Sequence, residues 1–412
     1  MEGHTSMDRH GCPISANDVR DSTRLISARG ARAFVDGLVS VAFPVYLSAN
    51  GMSPGRIGFI VTGTLLGSAA LTLLIGLRAQ RFSHVTLLCW LTVLMVSTGL
   101  GFALASGFAA MLIIGTLGTM NPSSGDVSPF LALEQALLPA TGPDERRTHL
   151  FARYAMTASL AGAFGALVAG ITDDFGRWLF LAYAACAILL LALYRTLSIG
   201  DQPRRPTGAL THSRRRVLEL SLLLSIDAFG GGFVVQSMLV LWLGHRFHLS
   251  TTSIATLLFI TGVAASGSTL LAPRVASRIG LVKTMVFTHI PASLCLIAAA
   301  FAPSASIAVA LLVARSLVST MDVPARTSYV MAIVPPDERA AAASVTNVPR
   351  SLAAAIPPLI TGAILDRTNF GWPLIIAGVL KITYDLLLLI RFRGIRPAEE
   401  TERLANRSTI RS

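Results

Sequence analysis

The chain has 412 residues, of which 53% are hydrophobic and only 14% are charged. A soluble domain usually carries about 25% charged residues, so this chain has too little polar surface to cover a water-soluble globule of its length. The net charge of +12 comes mostly from arginines between apolar runs, which favours membrane topology over a basic face that binds nucleic acid.

The predicted elements start with a polar stretch at residues 1–27 that lacks the apolar core of a signal peptide, and we expect a disordered cytoplasmic tail there. Six apolar runs follow, each about as long as a membrane-spanning helix, at 30–48, 57–77, 85–105, 108–128, 150–171 and 178–196. After a polar stretch at 198–216 come six more, at 217–244, 253–272, 284–302, 305–328, 343–364 and 372–391. These runs are called spans 1 to 12 below.

The twelve spans predict an all-α integral membrane protein whose partner is the lipid bilayer. We expect two pseudo-symmetric six-helix bundles, at 30–196 and 217–391. The other segments are an N-terminal tail at 1–29, a central cytoplasmic loop at 197–216 and a C-terminal tail at 392–412.

The basic residues are unequally divided between alternate loops. If the N-terminus is cytoplasmic, the outward loops hold only Arg56, Arg177, Arg246 and Arg367, while the inward loops and tails hold most of the other arginines. This asymmetry is the positive-inside pattern, so we expect both termini in the cytoplasm. We also expect a monomeric multi-pass protein of the plasma membrane.

Four pairs of sequence markers recur at nearly constant spacing in the two groups of spans. Ser53 and Ser250, which are candidate caps for the helices of spans 2 and 8, are 197 residues apart, and so are Gln80 and Ser277 in two similar basic loops. The run Pro-Asp-Glu-Arg at 143–146 returns 193 residues later, and the Phe-Gly before spans 6 and 12 returns after 195. The halves are therefore repeats of one orientation, related by a two-fold axis along the membrane normal.

The two basic loops also indicate a family. Twelve spans in two halves, with a basic loop after spans 2 and 8, resemble the major facilitator superfamily (MFS), whose loop motif is Gly-x-Leu-Ala-Asp-Arg-x-Gly-Arg. The motif residues present are Gly76, Ala79 and Arg81 in the first copy, where Gln80 replaces the aspartate, and Ala276, Arg278 and Gly280 in the second. The resemblance implies alternating access, with two halves rocking about a central cavity lined by spans 1, 4, 7 and 10.

Ionisable residues inside the spans mark the expected transport path, since each costs about 2.5–3.5 kcal/mol in a bilayer. Asp227 in span 7 and Arg315 in span 10 lie roughly 15 Å from the starts of their helices, close to the midplane. We expect these two to bind substrate or protons, against the alternative of a static ion pair. Asp36 in span 1 is shallower and either joins this path or pairs with Arg32, one turn before it.

A second charged group is predicted nearer the cytoplasm. Asp126 with Arg350, and Asp322 with Arg153, form the expected cytoplasmic gate, with local capping as the alternative. The two aspartates are 196 residues apart and are repeat mates, and the adjacent Pro122, Gly125 and Pro324 should break or kink spans 4 and 10.

Other polar residues in the spans have simpler interpretations. Asn121, Ser124 and Asn347 either line the path or mark helix ends. Lys381 and Asp385 are four residues apart on span 12 and are expected to neutralise one another, and His289 in span 9 is expected to be structural.

The sequence has no nucleotide-binding loop, no metal-ligand spacing and no nucleophile elbow, so we expect neither an enzyme nor a cofactor. The interior carboxylates favour a proton gradient as the energy source. The leading hypothesis is a proton-coupled exporter of a small organic molecule. The alternatives are an uptake symporter for a sugar or organic anion, and a receptor that uses the same scaffold without transport.

Overall fold

The computed structural model describes residues 16–78, 82–123, 128–141, 147–171, 176–199, 213–335 and 338–392, and these ranges contain helices and no strand. The α-helices of the first half are α1 (Ala16–Ala49), α2 (Pro54–Arg78), α3 (His84–Leu104), α4 (Phe108–Leu117), α5 (Pro129–Leu137), α6 (Arg147–Val168) and α7 (Trp178–Arg195). Those of the second half are α8 (Arg214–Gly232), α9 (Gln236–Phe247), α10 (Thr251–Ile279), α11 (Leu281–Ala300), α12 (Ala305–Ser316), α13 (Asp322–Ala332), α14 (Arg339–Ala355), α15 (Pro357–Leu365) and α16 (Trp372–Phe392). A 3₁₀-helix, Leu138–Thr141, follows α5.

Each predicted span corresponds to one long helix or to two consecutive shorter ones. Within the described residues, ten helical segments are long and apolar enough to cross a membrane, and two shorter apolar helices, α4 and α12, begin spans 4 and 10. Large apolar side chains such as Leu104, Ile171 and Ile390 are exposed on the surface, as expected where lipid replaces water. The predicted all-α membrane fold is confirmed.

The expected disorder of residues 1–27 is wrong for residues 16–27, because α1 begins at Ala16. Asp21 is buried near this helix start, where it pairs with Arg24 at 2.8 Å and accepts the backbone N–H of Ser198 at 3.0 Å. A polar sequence here forms a helix because its charged side chains find partners within the fold.

Four of the spans are interrupted. Among the described residues, span 4 has no helix at 118–123 and 128, around Pro122, and span 10 has none at 317–321, just before Pro324, so the predicted breaks are confirmed. The helix after the first break, α5, begins at Pro129, beyond the predicted end of span 4 at residue 128. Gly125 lies outside the described residues. Two further breaks were not predicted: span 7 unwinds at 233–235 after three glycines, and span 11 breaks at Ile356, before two prolines.

The serine caps are confirmed as a repeated feature. The backbone N–H of Arg56 donates to the hydroxyl of Ser53 at 3.4 Å, and that of Ser253 donates to Ser250 at 3.3 Å. Each serine thus satisfies a donor that the first turn of its helix leaves without an internal partner.

The described residues form two compact units. Unit 1 contains the described chain up to residue 199 together with 235–259, and unit 2 contains 213–234 and 260–392. In unit 1, α1 packs on α6 and α3 on α7; in unit 2, α8 packs on α14 and α11 on α16. These are the same helix pairs counted within each half, which supports the internal repeat. The predicted domain boundaries stay a prediction.

Glycines bring α1 and α6 into backbone contact. A Cβ atom on Gly37 would lie 2.0 Å from the carbonyl oxygen of Gly162, and one on Gly165 would lie 1.8 Å from that of Phe34. Gly162 and Gly165 on α6 therefore allow close packing of this helix on α1. Small residues allow such close approach between helices in a membrane.

We predict that Gly37→Ala destabilises the protein by about 1–3 kcal/mol, because the methyl group forces the two helices apart. Thermal unfolding of the detergent-solubilised variant should show a lower Tm than wild type. Gly76→Ala is the matched control, since nothing lies within 4 Å of a Cβ at that position. Equal Tm values for the two variants would show that the contact of α1 with α6 does not limit stability.

Candidate functional site

Six ionisable side chains meet inside unit 2 and are called the unit 2 cluster. They come from four helices and are all at least nine-tenths buried: Asp227 on α8, His289 on α11, Asp322 and Arg326 on α13, and Lys381 and Asp385 on α16. So many buried ionisable groups cost free energy unless they pair with one another. Each of the six contacts a group of opposite charge or a hydrogen-bond partner within the cluster.

Asp227 is the centre of the cluster. The ammonium group of Lys381 lies 2.7 Å from its Oδ1 atom, and the guanidinium of Arg326 lies 3.5 Å from its Oδ2 atom. Arg326 also pairs with Asp322 at 3.2 Å, one turn earlier on its own helix. Arg326 therefore bridges two carboxylates, and Asp227 is shared by two cations.

His289 lies between two parts of the cluster. Its Nδ1 atom is 3.0 Å from Oδ2 of Asp385. Its Nε2 atom is 3.5 Å from the ammonium nitrogen of Lys381 and 3.7 Å from Oδ1 of Asp227. The imidazole thus links the Asp385 carboxylate to the pair formed by Asp227 and Lys381.

Glycines on α8 make room for the lysine. A Cβ on Gly231 would lie 3.7 Å from Nζ of Lys381, and one on Gly230 would lie 3.4 Å from its Cγ atom. The aliphatic stem of Lys381 therefore runs along the bare backbone of α8 to reach Asp227. The expectation that Lys381 and Asp385 neutralise each other on α16 is therefore wrong, because each pairs with a residue of another helix.

Arg315 and Asp36 lie outside these ion pairs. Arg315 is half-buried near the end of α12, and its guanidinium forms no hydrogen bond or ion pair with any residue that the structure describes, so the alternative of a static pair with Asp227 is wrong. Asp36 is buried on α1, likewise without such a partner among the described residues. Their predicted roles in the path stay predictions.

Arg32 pairs with Glu134 rather than with Asp36. Two guanidinium nitrogens of Arg32 donate to the two carboxylate oxygens of Glu134, each at 2.8 Å. The hydroxyl groups of Tyr154 and Tyr194 donate to the same carboxylate, and the Arg32 guanidinium lies 4.7 Å from the centre of the Phe130 ring. This unit 1 cluster joins α1, α5, α6 and α7.

The predicted gate is only partly described. Asp126, and with it the pair to Arg350, lies outside the described residues, as do Ser124 and Arg81. Asp322 pairs with Arg326 on its own helix, while Arg153 is exposed on α6. The gate stays a prediction.

The remaining predicted residues have local surroundings. Asn121 is buried and its side-chain oxygen accepts the backbone N–H and the hydroxyl of Ser123, at 3.2 and 2.6 Å, so it orders the break in span 4. Asn347 and Arg278 are exposed. Gly280 joins α10 to α11 with a φ of 90°, a conformation that favours glycine. The backbone therefore explains why the second copy of the loop motif has a glycine at this position.

The sequence prediction missed the partners rather than the centre of the cluster. Lys381, Asp385 and His289 were assigned structural roles, and Arg326 and Glu134 no specific partner. Their signal was available, because an ionisable residue in the middle of an apolar run needs a partner on another helix. What the sequence could not supply was which helices face each other.

The clusters of the two units occupy equivalent positions with opposite charge. Arg32 and Asp227 are 195 residues apart, and Glu134 and Arg326 are 192 apart, close to the offsets of the repeat markers. Each pair joins the first helix of its half to the helix that follows the break in the fourth span, α5 in unit 1 and α13 in unit 2. The repeat therefore keeps the position of a buried ion pair and reverses its sign.

The helical membrane fold agrees with comparisons to known proteins. The Major Facilitator Superfamily matches the chain over residues 25–309 and 220–411. The chain belongs to this family. The superfamily resemblance drawn from the basic loops is thereby confirmed.

Two relatives share 24% of their residues with this MFS protein. One is the uncharacterized membrane protein YJR124C of Saccharomyces cerevisiae, matched over 91% of this chain and 95% of its own. The other is the uncharacterized MFS-type transporter YceJ of Bacillus subtilis, matched over 60% of this chain and 65% of its own.

Solved structures share the fold. A bacterial homologue of the human lysosomal transporter Spinster superposes with a TM-score of 0.73 at 14% identity, covering 92% of this chain and 98% of its own. The D-xylose–proton symporter gives 0.69 at 17% identity, with coverages of 89% and 96%. The family consists of transporters rather than enzymes, so this MFS protein is a multi-pass secondary transporter that works by alternating access.

We predict that Glu134→Gln destabilises the protein by about 3–5 kcal/mol, because it leaves the buried Arg32 without a counter-charge. The double variant Arg32→Met, Glu134→Leu should recover part of that loss, since it removes both charges. Denaturant titration of purified protein measures both effects. Glu219→Gln is the control, because Glu219 forms its ion pairs with Arg391 and Arg215 near the surface, where water screens such pairs and they contribute little to stability. An equal effect in both single variants would contradict a structural role for the unit 1 cluster.

Proposed function

We propose that this MFS protein is a proton-coupled transporter that exports a small organic molecule, with the unit 2 cluster carrying the coupling proton. The observation that supports this most is the shared carboxylate of Asp227, which contacts Lys381 and Arg326 and lies close to His289. A proton taken up in such a cluster changes which of these contacts is favourable.

The charge balance of the cluster supports a proton as the coupling ion. Three carboxylates, Asp227, Asp322 and Asp385, face two cations of the cluster, Lys381 and Arg326, while Arg315 stands on the neighbouring α12. When Arg315 is counted together with the cluster and His289 is neutral, the three negative and three positive formal charges cancel. One added proton then leaves a net positive charge. A buried net charge is costly, and the cost gives protonation a means of driving rearrangement.

The two clusters differ in how easily their contacts can change. Glu134 accepts four hydrogen bonds, from Arg32, Tyr154 and Tyr194, and these occupy its carboxylate oxygens. Asp227 has one close partner, Lys381 at 2.7 Å, and two at 3.5 Å or more. We therefore assign the unit 1 cluster to stability and the unit 2 cluster to coupling.

Arg315 bears on the class of substrate. Arg315 has a guanidinium that forms no ion pair with the described residues, so it can hold an anionic group of a substrate. This observation also favours the alternative function, uptake of an organic anion with a proton.

We expect wild-type protein to protect an efflux-deficient bacterial host against some members of a panel of toxic compounds, and Asp227→Asn to lose that protection. The amide cannot carry the charge that Lys381 and Arg326 require, so the coupling contacts are lost. Growth inhibition at equal membrane expression measures the effect. Glu219→Gln, a change of the same kind two turns earlier on α8, should keep wild-type protection.

Collapsing the proton gradient with an ionophore should abolish export by the wild type. Export that survives this treatment contradicts proton coupling. Absence of protection across the panel contradicts export, and accumulation of labelled organic acids by the wild type would then favour uptake.

We propose further that the protein acts as a monomer in the plasma membrane with both termini cytoplasmic. The support is the arginine-rich composition of alternate loops, described above. A fluorescent protein fused after residue 412 should be bright, because it folds in the cytoplasm, while alkaline phosphatase at the same site should be inactive. The same two reporters fused after Asn50, before α2, should give the opposite result. Reversed activities would overturn the orientation.

A further inference from the structure

We infer that His289 is the residue that binds the coupling proton, and that its protonation exchanges the contact of Nε2 with Lys381 for one with Asp227. This inference rests on the proposed proton coupling and names the residue that carries it. It depends on three distances around one buried ring: 3.0 Å to Asp385, 3.5 Å to Lys381 and 3.7 Å to Asp227.

The chemistry of the partners determines the protonation state of the ring. The ammonium group of Lys381 has only donors, so its contact with Nε2 requires a lone pair on that nitrogen. The carboxylate of Asp385 has only acceptors, so the nitrogen facing it, Nδ1, carries the hydrogen. Both contacts are satisfied by a neutral imidazole with its proton on Nδ1.

The proton then has one place to bind. Nε2 accepts a proton from water on one side of the membrane and becomes N–H, while Nδ1 keeps its hydrogen and donates to Asp385. The new N–H can no longer accept from Lys381, and the two positive groups repel each other. It can donate to Oδ1 of Asp227, 3.7 Å away. Release of the same proton to water on the other side restores the neutral ring.

The other charged groups near the ring do not compete for this role. Arg326 and Asp322, on α13, contact Asp227 and each other and make no contact with the imidazole within the described structure. Arg315 on α12 is unpaired among the described residues. The ring of Tyr384 lies edge-on to His289, with centres 6.1 Å apart, and its buried hydroxyl has no described hydrogen-bond partner.

The exchange acts on a helix that can bend. Lys381 on α16 pairs with Asp227 on α8 and runs along Gly230 and Gly231. The next residue, Gly232, is the last of α8, and the chain unwinds at 233–235. A proton on His289 draws Asp227 toward the ring and weakens its contact with Lys381, so protonation changes the tie between α16 and the end of α8.

The test is NMR of the full-length protein in lipid nanodiscs with ¹⁵N-labelled histidine, titrated with acid and base alone. His289→Gln identifies the resonances of His289, and exposed His149 and His248 serve as internal references. We expect neutral His289 to carry its hydrogen on Nδ1, and Nε2 to gain a proton when the sample is acidified. The exposed residues should favour the Nε2–H form found in solution.

Two results would overturn the inference: a neutral His289 with its hydrogen on Nε2, or a ring that keeps one protonation state at every pH at which the protein stays folded. In the growth screen at equal membrane expression, His289→Gln should lose protection and His149→Gln should keep it. Protection retained in His289→Gln would also overturn the inference. Because the spectra need no substrate, failure of the exporter proposal and failure of the proton site are seen separately.

Discussion

A bilayer cannot hydrate a charged side chain, and this constraint determines how the helices of each unit are joined. Arg32 in unit 1 is held by both oxygens of Glu134, and Asp227 in unit 2 by Lys381 and Arg326. These pairs connect helices far apart in sequence and fix which faces of them turn inward. Apolar packing alone gives little direction in lipid, because lipid tails are as apolar as the side chains they replace.

The reversal of charge between the halves explains how a repeat can serve two roles. At equivalent positions, unit 1 has arginine on its first helix and glutamate after the interrupted span, and unit 2 has aspartate and arginine. An arginine fork holds a carboxylate through two parallel hydrogen bonds, and two tyrosines complete the site in unit 1. A central aspartate is smaller and accepts from cations on several helices. The same location therefore holds a carboxylate closed in by one arginine and two tyrosines in one half, and a carboxylate shared by two cations in the other.

Most of the fold could be predicted from the sequence, and only part of the site. Apolar runs, the breaks at Pro122 and Pro324 and the serine caps are local features. Among the described residues, ten helical segments are long and apolar enough to cross a membrane, two shorter apolar helices begin spans 4 and 10, and the breaks and caps are present. The start of α1 was missed because Asp21 is stabilised by Ser198, which no local pattern reveals. Asp227 was found by its depth in span 7. Its partners on α13 and α16 were not, since the sequence gives the depth of a residue but not the direction in which its helix faces.

The position of the unit 2 cluster also depends on the conformational properties of the α8 backbone. Three consecutive glycines at 230–232 weaken α8, because glycine loses the most conformational freedom in a helix. The same glycines have no side chains, which lets the stem of Lys381 lie against α8 and reach Asp227. A larger residue there would strengthen the helix and displace the lysine together. Flexibility of the backbone and access of the cation to Asp227 thus have one cause, and a change in the charge of the cluster acts where the helix resists bending least.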